Sequence, residues 1–166
     1  MNLLTRLLRH LFTTVARTRV LFSPTVLSQI ESAIGEAEAA HSGEIRFVVE
    51  TALPLLALWH RVTPRARALQ LFAQLHIGDT HANNGVLIYV LRADRAVEIV
   101  ADRGISDRVS EAEWQAVCRE VEQHYRAGHY ALGSSVAVAG VARLLGEHFP
   151  PGGSGANELP NRPMLL

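Results

Sequence analysis

A chain of 166 residues, 48% hydrophobic and 19% charged, is sized for one domain with a core of its own. Sixteen basic residues balance sixteen acidic ones, which excludes a globally basic nucleic-acid binder and a highly charged disordered chain. All the bases are arginine, so a Schiff-base lysine, a P-loop lysine and a lysine general base are excluded as well.

The neutral total hides a local imbalance. Residues 1–22 carry Arg6, Arg9, Arg17 and Arg19, and the first acid is Glu31. Leu4, Leu7, Leu8, Leu11, Phe12 and Val15 fall at helical spacing, opposite much of that arginine. Arg6 and Arg9 interrupt the apolar run that a secretory signal needs. Three readings stay open for this arm: a helix docked on the domain's own body, a helix lying on anionic lipid, or an organellar presequence. No stretch reaches 18 consecutive apolar residues, so no transmembrane helix is expected. The protein is expected in the cytoplasm, with peripheral contact on the inner face of the membrane as the role of the arm if it does not dock.

Ser23-Pro24 supplies a cap and a first-turn proline for a helix with Leu27, Ile30, Ile34 and Ala37 on one face, ended by Ser42-Gly43. EIRFVVE, residues 44–50, alternates as a strand. Residues 52–59 are apolar without period, and Pro54 argues for a turn or short helix that could serve as a contact surface. Thr63-Pro64 opens a helix to about His76 with Leu69, Phe72 and Leu75 inward. GVLIYVL, residues 85–91, is apolar on both faces and predicts a central strand. The turn Arg92-Ala93-Asp94-Arg95 leads into a third strand, 96–102, and a hairpin there pairs residues whose numbers sum to about 187.

Ser110 and Glu113 form a capping box for a helix with Trp114, Val117, Cys118, Val121 and Tyr125 inward. Cys118 is the single cysteine, without a disulfide partner in the chain, and reads as a buried inert thiol. A last helix, Tyr130 to His148, has Leu132, Val136, Leu144 and Leu145 as apolar anchors, and residues 136–141 look suited to close packing on the sheet. Residues 150–163 are rich in proline and glycine and read as a mobile or surface-draped tail, with GGSG as linker. The fold class expected is α/β: a small mixed sheet of strands 44–50, 85–91 and 96–102 between helices. Residues 1–22 form the arm, 23–149 the domain and 150–166 the tail.

NNGVLIYVL leading into VEIVADRGI and a capped helix, with the joint Tyr125-Arg126-Ala127-Gly128-His129-Tyr130 opening the last helix, resembles the TPM domain family over about residues 24–149. EIRFVVE and NELPNRP are similar to its short soluble bacterial branch, which lacks a signal peptide and a membrane anchor. The resemblance implies a three-layer α/β sandwich. It also implies a spread of roles: acid phosphatase activity and photosystem repair for a plant member, divalent-cation binding for bacterial members, receptor accessory work for an animal member. Such a spread leaves catalysis and adaptor work both open.

The hairpin register sets Asn84 and Gly85 opposite Asp102 and Arg103, and brings Asp79, His81 and Asn83 toward the same rim. Glu44 and His41 join that edge if the first strand runs parallel to the second. Carboxylate and amide oxygens there suit calcium or magnesium, and Arg103 could hold a phosphate oxygen. His81 would be the acid or base of a metal-assisted phosphomonoesterase built on Asp79 and Asp102. Relatives often carry Gly-Tyr-Gly-aliphatic-Glu where this chain has Asp102-Arg103-Gly104-Ile105-Ser106, so one carboxylate of that pattern is missing. Asp, Asn and Gly before a strand are also ordinary turn chemistry. His76, His124, His129 and His148 read as solvated or dipole-compensating residues. The expected function is an accessory module of envelope or membrane-protein maintenance with a protein partner and no nucleic acid; the alternative is the weak phosphatase.

Overall fold

Strands form where the apolar runs predict them: β1 (Glu44–Glu50), β2 (Gly85–Leu91) and β3 (Ala96–Ala101). The computed structural model describes residues 2–151 and 157–166. β2 is buried along its whole length, as a strand between two others and covered on both faces must be. β1 runs parallel to it with Glu44 opposite Gly85. β3 runs antiparallel with Val86 opposite Ala101 and Leu91 opposite Ala96, the register expected of the hairpin. Asp102 extends that ladder by one bond, its N–H donating to the Gly85 carbonyl at 2.9 Å.

A fourth strand was not foreseen. β4 (Met164–Leu165) pairs in parallel with Val48 and Val49 of β1, so the sheet order is β3-β2-β1-β4. The end of the chain is therefore tied down, where the sequence suggests a mobile or draped tail. Arg46 is buried and donates to the carbonyls of Pro160 at 2.6 Å and Arg162 at 2.5 Å. A two-residue strand is too short to show alternation, and a backbone carbonyl leaves no mark in composition. The GGSG stretch lies outside the described residues.

Period-two alternation sends Ile45, Phe47, Val49, Val86, Ile88 and Val90 to one face and Val48, Leu87, Tyr89 and Leu91 to the other. The first face is covered by α2 (Val15–Leu21), α3 (Pro24–Glu38), α7 (Glu111–Arg126) and α8 (Tyr130–His148). The second is covered by α4 (Leu55–Trp59), α5 (Pro64–Gln74) and, through Leu7, α1 (Leu3–Phe12). Ser23 and Thr63 cap as expected, accepting from the N–H groups of Val26 at 3.3 Å and Ala66 at 3.1 Å. The capping box of Ser110 and Glu113 is also present.

Phe72 of α5 with Leu75 at its end, and Val136, Leu144 and Leu145 of α8, turn to the core as expected, and one expected residue of each helix does not. Leu69 and Leu132 face solvent, while Ala68, Leu71, Gly133 and Ser134 turn inward. Small residues permit close approach, so apolar size alone misplaces part of the buried stripe. In the 136–141 stretch of α8, Ala137, Val138 and Val141 join the core on the first face of the sheet, and the helix packs with α7 and α3.

Candidate functional site

The strand edge predicted from the register exists, and most of its residues bond to neighbours outside the predicted set. Asp79 is exposed and pairs with His76 Nδ1 at 2.8 Å. His81 is exposed, and its backbone N–H donates to both carboxylate oxygens of Glu158, at 3.1 and 3.2 Å. Asn83 takes a left-handed φ of +50°. Asn84 is buried, donates its side-chain amide to the Ser42 carbonyl, and donates its N–H to Thr80 Oγ1 at 3.1 Å. Asp102 accepts from the N–H of Arg103 at 2.6 Å as the cap of the one-turn helix α6 (Arg103–Ser106), and Arg103 faces solvent.

The backbone itself fills much of this edge. A β-carbon on Gly85 would run into the Ile77 carbonyl oxygen, and one on Gly104 would sit 2.6 Å from the Asn83 carbonyl oxygen. Of the buried polar atoms without a hydrogen-bond partner among the described residues, three lie at this edge: His41 Nε2, Asn84 Oδ1 and Asp102 Oδ2. Among the described residues no three His, Cys, Asp or Glu side chains are grouped to hold a metal ion. Calcium takes about six to eight oxygens and magnesium a near-ideal octahedron. Asp79, His81 and Asp102 do not form such a metal-holding group.

Beside the rim lie two carboxyls that burial makes reluctant to ionise. Glu38, at the end of α3, accepts the Ile45 N–H at 2.8 Å. Burial pushes its carboxyl up to about 7; neighbouring Glu44 adds to this, and bonds from Ile45 and Asn161 oppose it. Glu44 is raised by burial and by Glu158, against a bond from the Leu159 N–H at 3.3 Å. The sequence places Glu44 on this edge on condition that β1 runs parallel to β2, as it does. Glu38 looked like any acid on a helix, because its burial depends on the returning chain end.

At the opposite end of the sheet, Glu50 is buried and accepts from Tyr89 Oη at 2.6 Å and from Arg67 Nε at 2.9 Å. Burial, then Glu50, push the Tyr89 phenol well above its usual range. Next to it, Asp94 of the β2–β3 turn accepts from Arg6 Nη2 at 2.7 Å and from His10 Nε2 at 3.1 Å. His10 Nδ1 accepts the Leu53 N–H at 2.9 Å, which leaves Nε2 to donate. Burial alone would raise the Asp94 carboxyl, but the bonds from His10 and Arg6 outweigh it and hold the group at about 2.

These contacts settle how α1 sits. Of the readings open for the arm, the lipid-facing one has Arg6 on the membrane side. Arg6 points inward to Asp94, as docking on the domain requires, since a buried carboxylate needs a cation more than lipid does. With Arg6, Leu7 and His10 turned to the domain, the main leucine face turns out: Leu11 is 65% and Phe12 77% exposed, with Leu4 and Leu8 beside them. α4 packs against α1 and leaves Leu55, Leu56 and Trp59 exposed as well. No helix among the described residues is long and apolar enough to cross a membrane.

The family profile for the TPM domain matches residues 15–144. The chain belongs to the TPM domain family. The BA42 protein of the psychrophilic bacterium Bizionia argentinensis, known from an NMR structure, is 28% identical with a TM-score of 0.75, over 87% of this chain and 94% of that one. The N-terminal domain of a P. gingivalis protein is 20% identical with a TM-score of 0.63, over 78% of this chain and 79% of that one, and shares the fold. No curated protein matches. Within this TPM domain protein, α1 and the docked chain end flank the matched segment.

Proposed function

We propose that this TPM domain protein is an accessory module that works at a membrane surface, seated there by α1 and α4. The observation that carries the reading is the orientation of α1: Arg6 and His10 are spent on Asp94, and Leu4, Leu8, Leu11 and Phe12 are left in water. Apolar side chains return roughly 1.5–3 kcal/mol each on full burial, so leaving Leu4, Leu8, Leu11, Phe12, Leu55, Leu56 and Trp59 exposed is costly unless something covers them. Arg17 and Arg19 are exposed on adjacent α2, with no acid before Glu31, and give the same region a positive field suited to anionic lipid. The inner face of a membrane has that chemistry, and a membrane protein resting there would be the protein partner.

Sedimentation with vesicles of mixed phosphatidylserine and phosphatidylcholine tests this. The wild-type chain is expected to pellet, and a Leu8→Ser, Trp59→Ser variant to bind about tenfold more weakly, a change of ~1.4 kcal/mol. Equal pelleting of the two proteins would overturn the proposal.

The phosphatase reading has one atom in its favour, the buried unpartnered Oδ2 of Asp102. It lacks a convergent set of ligands. Hydrolysis of a chromogenic phosphate ester, with calcium or magnesium, is expected to stay at the buffer rate. The reading gains standing only if turnover appears and Asp102→Asn removes it.

A further inference from the structure

We propose that a pocket at the carboxyl end of β1 and β2, between α1, α2, the β2–β3 turn and the α7–α8 joint, binds a phosphate-type oxyanion. The cavity is about 440 Å³, and five arginines line it: Arg9, Arg17, Arg92, Arg95 and Arg126. None of the other lining residues is acidic. Of two neighbouring carboxylates, one is held by residues outside the lining and the other neutralises the lining's own Arg126. Asp94 is held by Arg6 and His10, while Glu122 takes one bond from Arg126 at 2.6 Å and another from the Val97 N–H at 3.2 Å.

Arg92 is the centre of the case. Its Nε and Nη1 are buried and have no hydrogen-bond partner, while Tyr130 bonds the same guanidinium. Burial, and then Arg17 and Arg95, disfavour its charge. Arginine nonetheless stays protonated in proteins, so the cost cannot be relieved by losing the proton. An anion in the cavity offsets that charge. Nε and Nη1 lie on different edges of the guanidinium and are closed to solvent, so the anion acts on Arg92 through its charge, together with the other arginines of the lining. α8 adds to the positive field, because it begins at Tyr130, in the pocket wall, with no side-chain cap from His129. In α/β sheets the carboxyl ends of parallel strands are also where ligands commonly bind.

The pocket has a neighbour. A shallower apolar cavity of about 490 Å³, lined in part by Val20, Val26 and Leu132, shares Leu21, Gly128 and Tyr130 with it. An anion carrying an organic remainder would find apolar surface for it there. This inference stands on the arginines and is independent of the membrane reading.

Inorganic phosphate is the first probe. Added to the full-length nitrogen-15-labelled chain at constant ionic strength, it is expected to shift the Arg92 Nε–H signal and the amides of Ala93, Arg95 and Gly128 along one saturating curve. Arg92→Gln should weaken that curve about tenfold or more. Arg17→Gln, on the exposed side of α2, should weaken it severalfold and guards against misfolding of the first variant. Shifts absent, or reproduced by chloride at the same ionic strength, would overturn the site.

Vesicles distinguish the sources. If the anion is a lipid headgroup, wild type prefers phosphatidic acid over phosphatidylcholine and Arg92→Gln loses that preference. If it is free, phosphate titrates the pocket while Arg92→Gln pellets as wild type does. Loss of pelleting in Leu8→Ser, Trp59→Ser with the phosphate curve intact separates the seating helices from the anion site.

Discussion

Asp94 and Glu38 are half-hidden carboxyls pushed in opposite directions, and the physics of each is local. Asp94 has donors on both oxygens and titrates at about 2 instead of 3.8. A depressed carboxyl stabilises the fold above its unfolded value, and that contribution, about 2 kcal/mol, is lost as pH falls through its folded value. Glu38 has the reverse sign. Its folded value of about 7 exceeds 4.5, so its contribution is full below 4.5 and disappears as pH rises through 7. Urea unfolding against pH should therefore show stability falling on both sides of an optimum near pH 4–5. Asp94→Asn should flatten the acid limb, and Glu38→Gln the limb between 4.5 and 7; unchanged limbs would contradict these assignments. Cys118 belongs with them as a plain case: burial pushes its thiol up to about 12, as an inert core cysteine requires.

At the scale of elements, the short β4 and the segment before it have more leverage than their length suggests. They cover the edge of β1, place Leu159 in the second core, and bring two carbonyls to the buried guanidinium of Arg46. Burial disfavours the Arg46 charge, and without its partners a buried cation costs about 3–5 kcal/mol. Deleting residues 157–166 is expected to lower stability to urea by roughly 3 kcal/mol or more. Adding Arg46→Met to the truncated chain should recover part of that loss, since it removes the stranded charge. A truncated chain as stable as the full one would mean that β4 is decoration.

At the scale of the whole molecule, the two ends of the sheet divide the chemistry. The edge at Gly85 and Asp102 is packed with backbone and turn residues, three of whose buried polar atoms stay unpartnered, whereas the end at Glu50 and Arg92 gathers buried ion pairs, exposed leucines and the arginine pocket. Local pattern made the first end conspicuous, because Asp, Asn, Gly and His cluster there within one stretch of sequence. The second end is assembled from residues far apart along the chain: Arg6 and His10 meet Asp94, Arg67 meets Glu50, and Arg17 faces Arg92 and Arg126 across the cavity. By itself the sequence determined the three long strands, the antiparallel register of the hairpin and the helix caps. These follow from periodicity, caps and turns within a few residues and from a hairpin that counts its own register. The family rests on the resemblance of its motifs, and the parallel pairing of β1 stayed conditional. Only the tertiary structure decided which way α1 turns, where the chain end docks and which arginines converge. Those outcomes depend on buried charges finding partners across the fold, and pairing at that distance leaves no period in the sequence.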